Sequence, residues 1–201
     1  MAERLLGNRA QGLIFIVSAP AGTGKTTLVR MLTEEFPCVV ESVSCTTRPP
    51  RLGEIEGQDY WFLTKNQFER KIQENEFLEY AEVFGYYYGT SRKYVRDLQM
   101  IGNHVVLVID TQGAMNLKQE EFEGTYIFLT PPSLEELKER LIKRNTEDAQ
   151  TLQERLSWAS HEMELACAYD YLVVNKDLLL AYGVLRSIVI AEEHKTRNLH
   201  L

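Results

Sequence analysis

The chain has 201 residues and lacks the features of a membrane-spanning or secreted protein. No apolar run reaches the ~18–20 residues that a membrane-spanning helix needs. The N-terminal stretch MAERLLGNRAQ contains no apolar core of signal-peptide length. We therefore expect a cytoplasmic protein with no membrane partner.

Cysteine is scarce as well, with three residues at wide spacing, Cys38, Cys45 and Cys167. An odd number at this spacing fits neither a disulfide framework nor a zinc site. We predict that all three are reduced thiols in or near the core, where a free cysteine behaves as a small apolar residue.

Positive charge is also in short supply, because 22 Lys and Arg residues stand against 29 Asp and Glu residues, for a formal net charge of −7. A protein that coats nucleic acid usually has a basic excess, so we expect no nucleic-acid partner. A phosphate ligand would have to be attracted by a few local cations. The remaining composition, 44% hydrophobic and 25% charged, is ordinary for one globular domain.

Short apolar runs that resemble buried strands alternate with helix-like stretches along most of the chain. The strand-like runs cover residues 12–18, 39–44, 104–110, 125–130 and 170–175, and helix-like stretches cover 25–36, 94–103 and 177–194. This alternation predicts a parallel sheet with helices on both faces. Ligands of such folds bind at the carboxyl ends of the strands, where Ser18 and Asp110 lie.

Two further helices are indicated by the capping-box spacing, which Ser133 forms with Glu136 and Thr151 forms with Glu154. The buried face of the last helix is predicted from helical spacing at Leu178, Ala181, Leu185 and Ile188.

Residues 46–92 differ in character, since they are rich in Arg, Gly and Tyr. A helix is predicted within this segment over residues 65–77. We interpret the segment as an inserted, curled β unit that carries exposed polar residues.

The stretch SAPAGTGKTTL, residues 18–28, lies between the first predicted strand and the first predicted helix. A loop that holds phosphate turns successive backbone N–H groups inward, which requires glycine where φ is positive or where a side chain would block the anion. The following helix points its N-terminal dipole at the anion, Lys25 reaches the outer phosphates, and the Thr26 hydroxyl can bind Mg²⁺.

Ala19 stands where this motif usually begins with glycine, and we expect it to be tolerated if its φ is negative. The alternative is an ordinary glycine turn. We interpret residues 19–26, the phosphate loop, as a nucleoside-triphosphate site. The loop alone leaves an ATPase, a GTPase and a kinase equally open.

Several other motifs resemble those of guanylate kinases, in order and at consistent spacing over roughly residues 12–193. They are SVSCTTRPPRLGEIEGQDYWF (42–62), EFLEYAEVFGYYYGTS (76–91), VLVIDTQG (106–113), FLTPPSLEELKERLIKR (128–144) and VVNKDL (173–178). The resemblance implies an α/β fold, a P-loop NTPase-type parallel β-sheet flanked by helices, with an inserted small α+β GMP-binding unit and a helical lid.

The resemblance also implies how one domain, residues 1–201, is divided and which residues bind the substrates. The core covers residues 1–43, 93–140 and 158–201, the GMP-binding unit about 44–92, and the lid about 141–157. ATP is bound by Ala19, Pro20, Ala21, Gly22, Thr23, Gly24, Lys25, Thr26, Thr27, Asn175 and Asp177. GMP is bound by Ser44, Arg48, Arg51, Tyr60, Glu79, Tyr88, Thr90 and Asp110. The catalytic residues are Lys25, Arg140, Arg144 and Arg155, and Thr26 is the protein ligand of Mg²⁺, with ATP phosphates and water.

The residue types suit these roles. Arg48 and Arg51 flank a Pro-Pro kink and offer fork-shaped donors for a phosphate, although taken alone they read as solvated surface arginines. Glu79 offers a carboxylate to the adjacent ring N–H and amine of guanine, a donor pair that adenine lacks. Asp177 and Asn175 have an alternative role at a helix start, because Asp is a good N-cap residue.

The sequence departs from the family pattern at two positions besides Ala19. Thr90 stands where serine is usual, and Val108 stands where family members often carry the first acid of Asp-x-Asp. We expect Asp110 or water to take over any role of the missing acid near Mg²⁺.

The predicted reaction is the Mg²⁺-dependent transfer of a phosphoryl group from ATP to GMP, and also to dGMP, in a monomer or homodimer. The phosphate of GMP is already ionised, so no general base is needed. The four histidines, His104, His161, His194 and His200, are accordingly predicted to be structural or solvated. Two alternatives stay open: a non-catalytic peptide-binding scaffold, and a kinase that acts on another nucleotide or on a nucleoside.

Overall fold

The computed structural model describes residues 4–143 and 149–196. Its strands are β1 (Ile14–Ser18), β2 (Val39–Glu41), β3 (Cys45–Thr46), β4 (Trp61–Phe62), β5 (Phe77–Val83), β6 (Tyr86–Ser91), β7 (His104–Val108), β8 (Thr125–Thr130) and β9 (Tyr171–Val174). Its helices are α1 (Lys25–Glu35), α2 (Lys65–Gln73), α3 (Arg92–Met100), α4 (Thr111–Gln119), α5 (Leu134–Lys143), α6 (Ala149–Glu164) and α7 (Leu178–Glu193), with a 3-10 turn at Leu165–Ala168.

Five parallel strands form the main sheet in the order β2-β7-β1-β8-β9. Apolar side chains of these strands pack against α1 and α7 on one face and against α3 and α4 on the other. Burial on both faces explains why the strands are continuous apolar runs. The predicted α/β fold of the P-loop NTPase type is confirmed.

Residues of the inserted segment form a second sheet of four short strands, in the order β4-β3-β6-β5. Its small core is aromatic: Phe68 of α2 stacks on Phe77 at 4.3 Å and on Tyr87 at 5.2 Å between ring centroids. Since this sheet has its own core, it is a distinct structural layer beside the main sheet. The predicted bounds of a GMP-binding unit and a lid concern ligands and motion, and they stay predictions.

Several predicted elements end earlier in the structure than in the sequence. Helix α2 ends at Gln73 instead of residue 77, because Asn75 has a φ of 53° and Phe77 begins β5. Strand β2 ends at Glu41, not at residue 44. Helix α4 was not predicted, although Asp110 caps it by accepting a hydrogen bond from the N–H of Gly113 at 2.7 Å.

The helix-start predictions have mixed outcomes. Ser133 accepts a hydrogen bond from the N–H of Glu136 at 3.2 Å, as a capping residue does. Helix α6, in contrast, begins at Ala149, so Thr151 is not its N-cap residue. On α7, Ala181, Leu185 and Ile188 are buried, whereas Leu178 at the first turn is 39% exposed.

The cysteines are free, and they differ in burial. Cys45 is buried, Cys38 is half-buried and Cys167 is exposed, so the prediction of a location in or near the core is wrong for Cys167, which lies in the short 3-10 turn. Burial raises the pKa of Cys45 to about 11. In the described part of the chain, no helix is both long and apolar enough to cross a membrane.

The end of the main sheet opposite the strand carboxyl ends is held by a buried histidine. His104 accepts a hydrogen bond at Nδ1 from the N–H of Leu13 at 3.0 Å, and its Nε2 contacts Glu193. Burial lowers the pKa of His104. A neutral ring that accepts at Nδ1 and donates at Nε2 satisfies both partners, which supports a structural role for this residue.

Candidate active site

The phosphate loop leaves β1 and leads directly into α1. The predicted nucleotide residues Ala19, Pro20, Ala21, Gly22, Thr23 and Gly24 form this loop, and Lys25, Thr26 and Thr27 begin the helix. Gly22 and Gly24 have φ values of 89° and 99°, in the left-handed region that favours glycine. Ala19 is not among the described non-glycine residues with positive φ, and it is 3% exposed. An alanine is therefore accommodated here without strain.

Asn175 braces the loop from the end of β9. Its side-chain amide donates to the carbonyl oxygen of Thr23 at 2.7 Å, and its Nδ2 lies 2.6 Å from where a Cβ on Gly24 would stand. Asp177 accepts a hydrogen bond from the N–H of Leu180 at 2.8 Å and so caps α7. The alternative role of Asp177 at a helix start is thus present in the fold, and contact of either residue with adenine stays a prediction.

Arg140 lies on α5 beside the same loop. Its guanidinium donates to the carbonyl oxygen of Asn175 at 2.8 Å and approaches Glu136 at 3.5 Å. Leu141 of the same helix lies 2.9 Å from where a Cβ on Gly22 would stand. Helix α5 thus packs directly on the phosphate loop. Arg144 lies outside the described residues.

Lys25 lies among three carboxylates at the carboxyl ends of the strands. Its Nζ donates to the carbonyl oxygen of Ile109 at 3.4 Å. Burial lowers the pKa of Lys25, and Glu162, Asp110 and Glu41 act in the opposite direction by favouring its charged form. The ammonium group therefore lies at the carboxyl-terminal edge of the sheet, beside the end of β7.

Glu162 was not predicted, yet it is one of the most buried acids of the site. It is 5% exposed, accepts a hydrogen bond from the Thr111 hydroxyl at 3.3 Å, and burial raises its pKa to about 7. Its place on α6, seven residues after Arg155, puts the two on one face of that helix. The sequence does not distinguish it from the exposed Glu164 two residues later.

The arrangement fits a magnesium ion bound together with a triphosphate. The described residues contain no cluster of three or more His, Cys, Asp or Glu side chains that could hold a metal by itself. Mg²⁺ usually keeps several waters and takes one or two protein oxygens plus substrate phosphates. The exposed Thr26 at the first turn of α1 offers such an oxygen.

The predicted acceptor-phosphate residues gather in the loop between β3 and β4 and on β6. Arg48 lies over the ring of Tyr60 at 5.3 Å, and the rings of Tyr60 and Tyr88 are 6.0 Å apart. Arg48 also forms a 2.7 Å ion pair with Glu54, which raises the pKa of Arg48. Arg51 is exposed and donates its backbone N–H to Glu54 at 2.7 Å.

Glu54 is a second residue that sequence reasoning missed. Its carboxylate joins Arg48 to the backbone at Arg51, and it therefore occupies one of the guanidinium donors that were predicted to bind a phosphate. Its spacing to the two arginines has no recognisable pattern, so no signal in the sequence identifies it.

Glu79, Thr90, Asp110 and Gly113 form a further cluster, which we call the acidic pocket. The Thr90 hydroxyl donates to Glu79 Oε1 at 2.6 Å, and both residues are buried. A β-bulge between Phe77 and Glu79 sets this register. Burial raises the pKa of Glu79 to about 7, and it also raises the pKa of Asp110.

Gly113 allows the two acids of this pocket to converge. A Cβ at this position would stand 2.3 Å from Glu79 Oε2 and 3.5 Å from Asp110 Oδ1. Asp110 also adjoins the phosphate loop, because its carbonyl oxygen accepts from the Ser18 hydroxyl at 3.3 Å. Ser44, the remaining predicted residue, is nearly buried just before β3. The structure thus brings the acidic pocket and the phosphate loop together.

Arg155 of α6 contacts an aromatic ring. Its guanidinium carbon lies 5.8 Å from the ring centre of Phe84, at the tip of the β5–β6 hairpin. Its predicted role at the transferred phosphoryl group stays a prediction.

The family model for guanylate kinase matches residues 11–192. The chain belongs to the guanylate kinase family.

Guanylate kinases from Protochlamydia amoebophila and Chlamydia muridarum are among its relatives. The protein is 56% identical to the guanylate kinase of Protochlamydia amoebophila over 192 residues, which are 95% of this chain and 97% of the relative. It is 48% identical to that of Chlamydia muridarum, over 90% of this chain and 89% of the relative. The crystal structure of guanylate kinase from Anaplasma phagocytophilum matches with a TM-score of 0.76 at 37% identity, over 92% and 88% of the two chains.

Val108 is the position at which the resemblance predicted the first acid of Asp-x-Asp. Val108 is partly buried and packs on the apolar cluster between the sheet and α1. Glu41 lies on the neighbouring strand β2, paired with Val106, and contributes one of the three carboxylates near Lys25. The local negative charge is therefore supplied by residues other than position 108.

Proposed function

We propose that the protein transfers the terminal phosphoryl group of ATP to GMP, producing ADP and GDP. One observation carries the proposal: the acidic pocket adjoins the phosphate loop at Asp110. The carbonyl oxygen of Asp110 accepts a hydrogen bond from Ser18, the residue directly before the loop, and its carboxylate favours the charged form of Lys25 in the loop. A donor triphosphate on the loop and a guanine nucleotide in the pocket would therefore lie at the same sheet edge. Membership of the guanylate kinase family supports the same reaction.

On the acceptor side, the acidic pocket reads the base. Glu79, aligned by Thr90, accepts hydrogen bonds from the ring N–H and the amine of guanine, with Asp110 beside it. The phosphate of GMP displaces Glu54 from Arg48 and is held by that guanidinium, Arg51 and the hydroxyls of Tyr60 and Tyr88. Because dGMP presents the same base and the same phosphate as GMP, it is a substrate of this pocket as well.

The transfer needs alignment and charge stabilisation more than proton transfer. A phosphate oxygen of GMP attacks in line, and the bond to the leaving oxygen of ADP breaks. Lys25 and the arginines at positions 140, 144 and 155 stabilise the charge on the moving group. Mg²⁺, when bound with ATP beside Thr26, neutralises part of the phosphate charge.

Three functional units follow from this assignment. The core, residues 1–43, 93–140 and 158–201, holds ATP; the unit at about 44–92 holds GMP; and residues 141–157 form a lid. Closure excludes water, which would otherwise accept the phosphoryl group.

A coupled assay of ADP release with ATP and each of GMP, dGMP, AMP, UMP and CMP tests the proposal. We expect turnover with GMP and dGMP and little with the other three. Turnover with AMP in preference to GMP would show that the chain is a different nucleotide kinase. An inactive protein that still binds peptides would favour the scaffold alternative.

A further inference from the structure

The tip of the β5–β6 hairpin is a two-residue turn, Phe84 and Gly85, in which both residues have positive φ, 50° and 78°. Turns of this kind favour Asn followed by Gly, because Asn tolerates the left-handed region. A bulky phenylalanine is strained there. The Phe84 side chain is also 55% exposed, so burial does not account for its presence.

The Phe84 ring extends from the hairpin to helix α6 and contacts two of its residues. It lies 6.1 Å from the ring of Trp158, at an interplanar angle of 53°, and 5.8 Å from the guanidinium carbon of Arg155. Arg155 and Trp158 are three residues apart, so they lie on one face of the helix. Phe84, at the strained tip, thus forms a cation–π contact with Arg155.

The same hairpin carries the acidic pocket. Glu79 and Thr90 are paired residues of β5 and β6, and Phe84 follows the end of β5. The hairpin therefore connects a residue proposed to read guanine with a residue that contacts a proposed lid arginine. The five residue steps from Glu79 to Phe84 span ~17 Å when extended. This length allows one hairpin to reach from the acidic pocket to helix α6.

We propose that Phe84 is a positioning residue: its ring orients the Arg155 guanidinium toward the phosphoryl group that moves to GMP. This inference rests on the proposed function. The strain at Phe84 is retained because Asn, which fits the turn better, offers no ring to Arg155. Removing the ring is expected to leave both substrate sites formed and the arginine poorly aligned.

The test is Phe84→Asn, which relieves the turn strain and removes the ring. We expect kcat to fall about 3-fold to 5-fold, in keeping with the strength of an exposed cation–π contact. KM for GMP should stay unchanged, because Glu79 and Arg48 are untouched. The melting temperature should stay equal or rise, since Asn suits a φ of 50°. A purely structural role would instead lower stability and activity together.

Two control variants distinguish the effect of losing the aromatic ring from the effect of relieving strain in the turn. Phe84→Tyr retains an aromatic face and should keep kcat near that of the parent. Glu121 is another exposed residue with a left-handed φ, 54°, so Glu121→Asn should relieve strain in the same way without changing kcat.

A double-mutant cycle identifies the partner of the ring. In an Arg155→Met background, Phe84→Asn should have little further effect on kcat, because the residue that it orients is gone. Trp158 reports the contact directly: in a Trp61→Phe background, Phe84→Asn should increase iodide quenching of its fluorescence.

The outcomes are distinct. Unchanged kcat in Phe84→Asn, an equal loss in Phe84→Tyr, or an undiminished effect in the Arg155→Met background would overturn the role of Phe84 while GDP formation by the parent stands. Failure of the parent to form GDP would overturn the proposed function and this role with it.

Discussion

The phosphate loop and the acidic pocket lie at one edge of the molecule, yet they are built by different means. The loop is shaped by its backbone, with Gly22 and Gly24 in left-handed conformations, and it accepts Ala19 without distortion. The pocket is shaped by side chains, since Glu79 and Thr90 are brought together by strand pairing. A backbone site depends on a few residue types, whereas a side-chain pocket depends on the placement of single atoms.

Lys25→Met removes the one charged side chain that the phosphate loop contributes. We expect turnover to fall by on the order of 10²–10³-fold, as when one donor to transition-state charge is deleted. GMP affinity should be retained, because the acidic pocket is untouched. Steady-state rates and GMP titration calorimetry measure the two effects. Lys93→Met, at a lysine whose side chain is 84% exposed, is the control and should change neither. Normal turnover of Lys25→Met would contradict the assignment of the loop.

Glu79→Gln alters the acidic pocket and leaves the phosphate loop intact. An amide offers an N–H where guanine also presents donors, so we expect GMP affinity to fall about 10-fold to 100-fold, the loss of one good bidentate pair. ATP affinity should not change. The exposed Glu82 on the same strand supplies the control variant Glu82→Gln. If Glu79→Gln keeps the preference for GMP over AMP, guanine is read elsewhere.

Gly113→Ala tests whether the pocket depends on single atoms. Its Cβ would stand 2.3 Å from Glu79 Oε2, the movable end of a side chain. We expect Glu79 to shift and GMP affinity to fall on the order of 10-fold, an effect within the range of a lost base contact. Helix α4 should tolerate alanine or gain stability, by about 1 kcal/mol.

The matched control for this variant is Gly183→Ala in α7, where an added Cβ meets no atom within 4 Å. It should raise the unfolding free energy similarly without changing GMP affinity. A Gly113→Ala protein with parental GMP affinity would show that the two acids need no such close approach.

The pH dependence of stability gives the smallest effect. Burial raises the pKa of Glu79 to about 7, so the folded protein holds this proton more tightly than the unfolded chain does. Stability contributed by protonated Glu79 is therefore complete near pH 4 and is lost as pH rises toward 7 and beyond. Relative to Glu79→Gln, the unfolding free energy should fall by about 1 kcal/mol between pH 6 and pH 7. Denaturant titrations of both proteins at these pH values measure it, and parallel curves would contradict the burial of this acid.

The two regions also differ in how far the sequence predicts them. The phosphate loop is contiguous, so its glycines, Lys25 and the helix that follows are read from one stretch of chain. For the acidic pocket, Glu79, Thr90 and Asp110 were predicted individually from a resemblance, but the hydrogen bond between Glu79 and Thr90 and the part played by Gly113 were not. These depend on a β-bulge and on the packing of α4 against β5.

Other residues had no signal in the sequence. Glu54 and Glu162 are two among many acids, and they differ from the rest only in what surrounds them in space. Phe84 lies in a turn motif that usually carries a polar residue, and its contact with Arg155 joins positions 71 residues apart.

The sequence by itself determined the alternation of buried strands and helices, the position of the phosphate loop and the family to which the chain belongs, because these depend on local periodicity and on contiguous motifs. The tertiary structure alone decided which carboxylates surround Lys25, how Gly113 lets Glu79 and Asp110 converge, and that Phe84 reaches α6. Those features arise from side chains distant in sequence, whose pKa values and contacts are set by burial and by strand register.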